Sequence, residues 1–206
     1  MSETSLIHVV DDDESLRTSL LRLLRAAGYE ARGYGSTGEF LLEPPPDRPG
    51  CVLLDLRMPG PSGLELQAAL TRRGVALPVI FLTGHGDVAS SVRAMQAGAV
   101  DFLTKPVKRD TLFATLRRAL ERNGQERGRR AEAEELRARF AALTAREREV
   151  VEAVAGGKLN KQIAHELGMA ERTVKLHRAR AMEKLGVGSA AELGRLAERL
   201  SRLSEA

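Results

Sequence analysis

The runs "CVLLDL" (51–56) and "PVIFLTG" (78–84) constrain what this chain can fold into more than any other feature. Each is apolar at nearly every position, too short for a membrane span and bounded by turn residues. A strand with one face in water alternates apolar and polar residues, whereas a strand covered on both faces does not. Three further runs, "LIHVV" (6–10), "EARGY" (30–34) and "DFLT" (101–104), complete a series of five, with "EARGY" the weakest. Helical patterns separate them. Leu16, Leu20, Leu23, Leu24 and Ala27 fall at helical spacing before Gly28, and Ser62 to Arg72, Val88 to Ala97 and Thr111 to Arg122 read the same way. The alternation predicts an α/β fold, a doubly wound five-stranded parallel sheet with helices on both faces. Such folds place their sites beyond the carboxyl ends of the strands.

After Arg122 the pattern changes. Asn123-Gly124 is a helix stop signal, and residues 124–142 read as a linker, partly helical, with a short apolar seam at Leu136, Phe140 and Leu143. From Leu143 onward strand signals cease. "TARE" (144–147) is a capping box that opens a helix ending at Gly156-Gly157. A second helix starts with Asn160 as its cap, and a third and fourth cover 170–186 and 189–203. Four short helices with a tight turn at Gly168 predict a small all-α helix-turn-helix domain. The expected organisation is an α/β domain over 1–123, the linker, and the helical domain over 143–206.

Charge separates the same two parts. Residues 1–123 hold 15 basic and 15 acidic side chains, and residues 124–206 hold 17 and 13, so the whole net charge of +4 lies in the second part. The stretch 158–186 alone carries 7 basic and 3 acidic residues. A neutral first part and a basic second part suggest two modules with different partners. Cys51 is the single cysteine, inside an apolar run, which excludes disulfide frameworks and thiolate metal clusters. Neither a long apolar span nor a secretory leader stands out, so the expectation is a cytoplasmic protein without a membrane partner.

The acidic stretch "HVVDDDESLR" (8–17) places Asp11 and Asp12 just past the first strand. Asp55 closes the third, Thr83 the fourth, and Lys105 follows the fifth, all on one edge of one sheet. Three converging carboxylates repel one another unless one is protonated or a cation binds. Oxygen ligands suit Mg²⁺, and Lys105 and Thr83 supply a charge and a hydroxyl for a phosphoryl group. The set suits transfer of a phosphoryl group onto Asp55. Asp13 and Glu14 read instead as first-turn residues of the following helix.

The blocks "VVDDD", "LLDLRMPGPSG", "FLTGHGD" and "DFLTKP", in that order and spacing, resemble a two-component receiver domain of flavodoxin-like fold over about residues 5 to 122. The resemblance implies that Asp55 is the phospho-acceptor and that Asp11, Asp12, Asp55 and the backbone carbonyl of Arg57 bind Mg²⁺. It further implies that Lys105 contacts the phosphoryl group, that Thr83 reorients toward it, and that Phe102 is an aromatic switch turning inward when Thr83 moves. Arg57 and His85 flank the pocket, where either shielding of the phosphoryl group or assistance to its loss is open.

On a helical wheel of 170–186, Val174, Ala181, Met182 and Leu185 share a core face. Arg172, Leu176, Ala179 and Arg180 share the opposite face, with Lys175 on its flank. Basic side chains among small apolar ones suit a major groove, and Asn160, Lys161 and Lys184 suit phosphates. Arg178 lies near the core side. The blocks "LTAREREVVEAVAGG", "NKQIAHELG" and "RTVKLHRARAMEKLG" resemble a LuxR-type helix-turn-helix over about 143 to 203. The whole chain thus resembles the NarL/FixJ group, nearest to FixJ, with Lys161, Arg172, Thr173, Lys175, Leu176, Ala179, Arg180 and Lys184 as its DNA-binding set. Ala170 stands where that family often has a Ser cap, and Ala179 where some members have a basic residue.

The implied function is a transcription factor, not an enzyme. A sensor histidine kinase phosphorylates it, a homodimer binds promoter half-sites, and RNA polymerase is a further candidate partner. Two other readings stand beside it: an interaction protein with a vestigial tail, and an aspartyl-phosphate hydrolase. The wheel pattern disfavours the first. The lack of an acid two residues after Asp55, where Arg57 stands, disfavours the second.

Overall fold

The structure is a computed structural model that describes residues 5–43, 45–84 and 88–205. It divides into two compact units between Arg127 and Gly128.

In the first unit the apolar runs form β1 (Leu6–Val10), β2 (Glu30–Tyr34), β3 (Gly50–Asp55), β4 (Val79–Thr83) and β5 (Asp101–Thr104). All pair in parallel, in the order β2-β1-β3-β4-β5. β1, β3 and β4 are buried along their whole length, as their uninterrupted apolar character requires. β2, at the sheet edge, is buried only at Ala31 and Tyr34 and exposes Arg32, which is why it is faint in the sequence. Helices α1 (Glu14–Ala26), α2 (Thr37–Leu42), α3 (Gly63–Arg72) and α4 (Val88–Gln96) follow the first four strands. Two apolar cores result. Ile7, Leu24, Leu53 and Leu116 belong to one, and Phe40, Leu54, Leu66 and Phe81 to the other.

Helix α2 is absent from the sequence reading. It is only six residues long and ends ahead of three prolines, but Ser36 caps it by accepting the Glu39 N–H at 3.1 Å. The S-x-x-E pattern of "STGE" was its local signal.

Helix α5 runs unbroken from Arg109 to Ala141. The Asn123-Gly124 pair does not stop it, because Asn123 is used for tertiary contact. Its buried amide accepts the Gly50 N–H at 3.1 Å and donates to the Ala76 carbonyl at 2.9 Å. Helix propensity is a weak preference, of about 1 kcal/mol for Gly, and such contacts outweigh it.

The second unit is helical: the end of α5, then α6 (Ala145–Ala155), α7 (Asn160–Glu166), α8 (Glu171–Leu185) and α9 (Ala190–Glu205). Leu136, Phe140 and Leu143 are buried with Val150, Ile163, Val174 and Leu193 in one core. The seam read as part of a linker therefore packs into the helical unit. Thr144 caps α6 in a capping box with Glu147.

Candidate functional site

The strand order puts β1 beside β3 at the point where the chain reverses direction across the sheet, the place where folds of this topology bind ligands. Asp11 leaves β1 there, and Asp55 ends β3. Asp11 is fully buried and Asp55 nearly so, while Asp12 is exposed. Lys105 reaches both buried carboxylates, with Nζ 2.8 Å from Asp11 Oδ2 and 2.9 Å from Asp55 Oδ2. Its own backbone N–H donates to the Thr83 carbonyl at 2.8 Å, which brings Thr83 to the same edge. The peptide bond between Lys105 and Pro106 is cis.

Burial pushes the Asp11 carboxyl up. The hydrogen bond and charge of Lys105 oppose that shift, and the nearby Asp55 charge adds to it. Burial alone pulls Lys105 down, but its hydrogen bonds and ion pairs with Asp11 and Asp55 outweigh that and leave it raised. The ammonium is therefore charged across the physiological range.

Ligand oxygens of Asp11, Asp12 and Asp55 all lie within 4.8 Å of one another. Asp11 Oδ1 accepts the Asp13 N–H at 3.0 Å, whereas the buried Oδ2 is paired with the Lys105 ammonium at 2.8 Å. An all-oxygen donor set of three carboxylates so close together fits a hard divalent cation. Asp13 is not part of it. Its carboxylate caps α1, accepting the N–H groups of Ser15 and Leu16 at 2.9 and 3.0 Å.

Thr83 is buried, and its hydroxyl donates to the Gly84 carbonyl at 3.2 Å. Phe102 is 41% exposed, so its ring points outward. Arg57 is exposed, and its N–H donates to Asp55 Oδ1 at 3.2 Å. His85 lies outside the described residues.

In the second unit α7 and α8 are joined by a short turn in which Gly168 adopts φ +62°. Val174, Ala181 and Leu185 of α8 are buried, with Met182 half-buried. Arg172, Lys175, Leu176, Ala179 and Arg180 are exposed, Thr173 is half-buried, and Lys161 is exposed on α7. Lys175 pairs with Glu171 at 3.4 Å within the helix. Ala170 is the N-cap of α8 and provides no side-chain hydrogen bond.

Known families match both units. Residues 7–117 match the response regulator receiver domain, and residues 141–197 match the bacterial regulatory proteins of the luxR family. The chain belongs to the response regulators with a LuxR-type DNA-binding domain. Among relatives, it is 43% identical to Nodulation protein W of Bradyrhizobium diazoefficiens, over 97% of this chain and 88% of that one. It is also 43% identical to the transcriptional regulatory protein FixJ of Azorhizobium caulinodans, over 96% and 93%. The solved structure of response regulator StyR is similar at TM-score 0.87 and 44% identity, covering 96% of this chain and all of that one. Full-length FixJ from B. japonicum is similar at TM-score 0.60 and 39% identity, covering 98% and 99%.

Two residues of this response regulator make contacts that the sequence does not signal. Lys184 donates to the buried Glu147 carboxylate at 2.6 Å and to the Ala142 carbonyl at 3.2 Å, which ties its ammonium to the start of α6. Asn160 is the first residue inside α7, not its cap, and its Oδ1 accepts from Arg178 at 3.2 Å. The sequence reading also missed two arginines. Arg17 donates to the Asp11 carbonyl at 2.6 Å, and Arg139 donates to the Leu185 carbonyl at the end of α8 at 3.2 Å. Bonds to backbone carbonyls leave no pattern in residue type or spacing. Among the described residues, no helix is long and apolar enough to cross a membrane.

Proposed function

We propose that Asp55 accepts a phosphoryl group from a sensor histidine kinase, and that this modification controls dimerisation and promoter binding. The observation that carries the reading is the single ammonium of Lys105 shared by the buried carboxylates of Asp11 and Asp55. An oxygen of Asp55 attacks phosphorus as the bond to the donor breaks, leaving an acyl phosphate on Asp55. Lys105 then exchanges its contact with the Asp55 carboxylate for one with a phosphoryl oxygen. Asp11, Asp12, Asp55 and the Arg57 carbonyl would hold Mg²⁺, which supplies charge neutralisation for the transferring group when bound. No separate substrate is turned over in this scheme.

Thr83, next to Lys105, donates its hydroxyl to the phosphoryl group instead of to Gly84. Its movement vacates the space into which Phe102 turns. Phe102 is exposed on β5, and Val92 and Met95 are exposed on α4. Apolar side chains in water on adjacent elements favour pairing with a second copy through this face. Two recognition helices α8 then meet two half-sites in successive major grooves. Lys161, Arg172, Thr173, Lys175, Leu176, Ala179 and Arg180 make the DNA face, and RNA polymerase is recruited or blocked at the promoter. The protein acts in the cytoplasm, where kinase and promoter both reach it.

The test is a footprint and a molecular-mass measurement on the full chain with and without beryllofluoride and Mg²⁺. The reading expects a dimer and a tighter, protected promoter site only with both additions, and no response from Asp55→Asn. Equal footprints in the two states would contradict it.

A further inference from the structure

Asp11 and Asp12 are neighbours in the chain, yet one is buried and hydrogen-bonded while the carboxylate of the other is exposed. What aims Asp12 toward the other two carboxylates is the peptide that joins it to Asp11. The backbone of Asp11 is fixed on both sides. Its N–H donates to the Tyr34 carbonyl at 3.1 Å, and its carbonyl accepts from Arg17 Nη1 at 2.6 Å.

Arg17 reaches that carbonyl because β2 makes room for it. Gly33 lies beneath its stem, and a Cβ on Gly33 would sit 3.3 Å from Arg17 Cγ and Cδ and 2.8 Å from Leu21 Cδ1. At Gly35 the same construction falls 3.8 Å from Arg17 Nη1 and 3.5 Å from Glu39 Oε2, so a side chain there would crowd the guanidinium. Glu39 is itself tied down by the Gly35 N–H at 2.6 Å. The arginine therefore passes from α1 over two side-chain-free positions to a carbonyl whose peptide leads directly into the cation cluster.

We propose that Arg17 is a positioning residue for the cation site: by holding the Asp11–Asp12 peptide it keeps the Asp12 carboxylate among the ligands. This rests on the reading of Asp11, Asp12 and Asp55 as a Mg²⁺ site. Groups that orient metal ligands from behind typically change affinity by about 10- to 100-fold when removed. Without the guanidinium the Asp11–Asp12 peptide loses the restraint on its carbonyl, and Asp12, which faces solvent, spends less of its time at the site.

The test is calorimetric titration of the full, unphosphorylated chain with Mg²⁺ alone, comparing wild type, Arg17→Met, Arg17→Lys and Asp12→Asn. Arg17→Met is expected to bind about tenfold more weakly, with Arg17→Lys between it and the wild type. Phosphorylation of Arg17→Met by acetyl phosphate should need proportionately more Mg²⁺ yet reach the wild-type rate at saturation, a separation that general loss of structure would not give. Should Arg17→Met fail to fold, Arg17→Gln, too short to span the gap, is read by the same criterion. Affinity within about twofold of wild type, alongside a loss in Asp12→Asn, overturns the role of Arg17 and leaves the cation site standing. Wild-type affinity in Asp12→Asn overturns the cation site itself.

Discussion

Lys105 Nζ lies 2.9 Å from Asp55 Oδ2 while the same nitrogen lies 2.8 Å from Asp11 Oδ2, so one cation joins the ends of β1 and β3 to the segment after β5. Removing it leaves buried carboxylates facing one another. Lys105→Met is expected to cost about 2 kcal/mol, less than a fully enclosed pair would, since Lys105 retains some solvent contact. Excess Mg²⁺ should restore much of that loss, because a ligand that binds only the folded state stabilises it. Urea unfolding with and without Mg²⁺ checks this, and a loss that Mg²⁺ does not reduce would count against a shared cation site.

His8 gives the receiver unit a pH dependence unrelated to phosphorylation. It is 2% exposed, its Nδ1 lies 3.1 Å from the Tyr34 hydroxyl, and Phe40 meets it edge-on. Burial, with added repulsion from Arg32 and Arg48, lowers it to about 4. Below its ordinary value of about 6.5 the unfolded chain binds a proton that the folded chain refuses. Stability is therefore intact above pH 6.5 and is lost as the pH falls toward 4. Between pH 7 and 5 this is about 2 kcal/mol. His8→Gln should remove that part of the slope in urea unfolding at the two pH values.

The N-terminus of α8 lacks what α1, α2, α3 and α6 possess. Asp13, Ser36, Ser62 and Thr144 each accept a backbone N–H of the helix they begin, while Ala170 accepts none. The Ala170 backbone is already extended, as a capping residue requires. Ala170→Ser should stabilise the helical unit by about 1 kcal/mol, read as a higher urea midpoint with an unchanged slope.

Much of this was legible in the sequence, for identifiable reasons. β1, β3 and β4 announced themselves because burial on both faces forbids polar interruptions, and Asp11, Asp55, Thr83 and Lys105 could be placed because they stand at strand ends. What escaped depends on contacts between residues far apart in the chain. Asn123 looked like a stop because its partners, Gly50 and Ala76, lie 73 and 47 residues away. The pairing of Lys184 with Glu147 escaped because Glu147 reads as a capping residue of a different helix, and it serves both purposes.

Lys175 and Lys184 of α8 should consequently behave differently. Lys175→Ala is expected to weaken promoter binding and to lower the steepness of the log–log salt dependence by about 0.9. Lys184→Met should leave that slope unchanged and destabilise the helical unit by about 1–2 kcal/mol, since the Glu147 carboxylate, held well below the usual carboxylate range chiefly by its hydrogen bond to Lys184, loses its partner. Filter binding across salt concentrations, with urea unfolding of the same proteins, separates the two.

The acidic cluster is tested most directly by intact mass after incubation with acetyl phosphate and Mg²⁺, comparing wild type with Asp55→Asn. The account predicts that the wild type gains a single phosphoryl group and the variant none. It also predicts that beryllofluoride binds the wild type even where the acyl phosphate is short-lived. A phosphoryl gain that persists in Asp55→Asn, or a wild type that takes up neither phosphoryl group nor beryllofluoride, would contradict it.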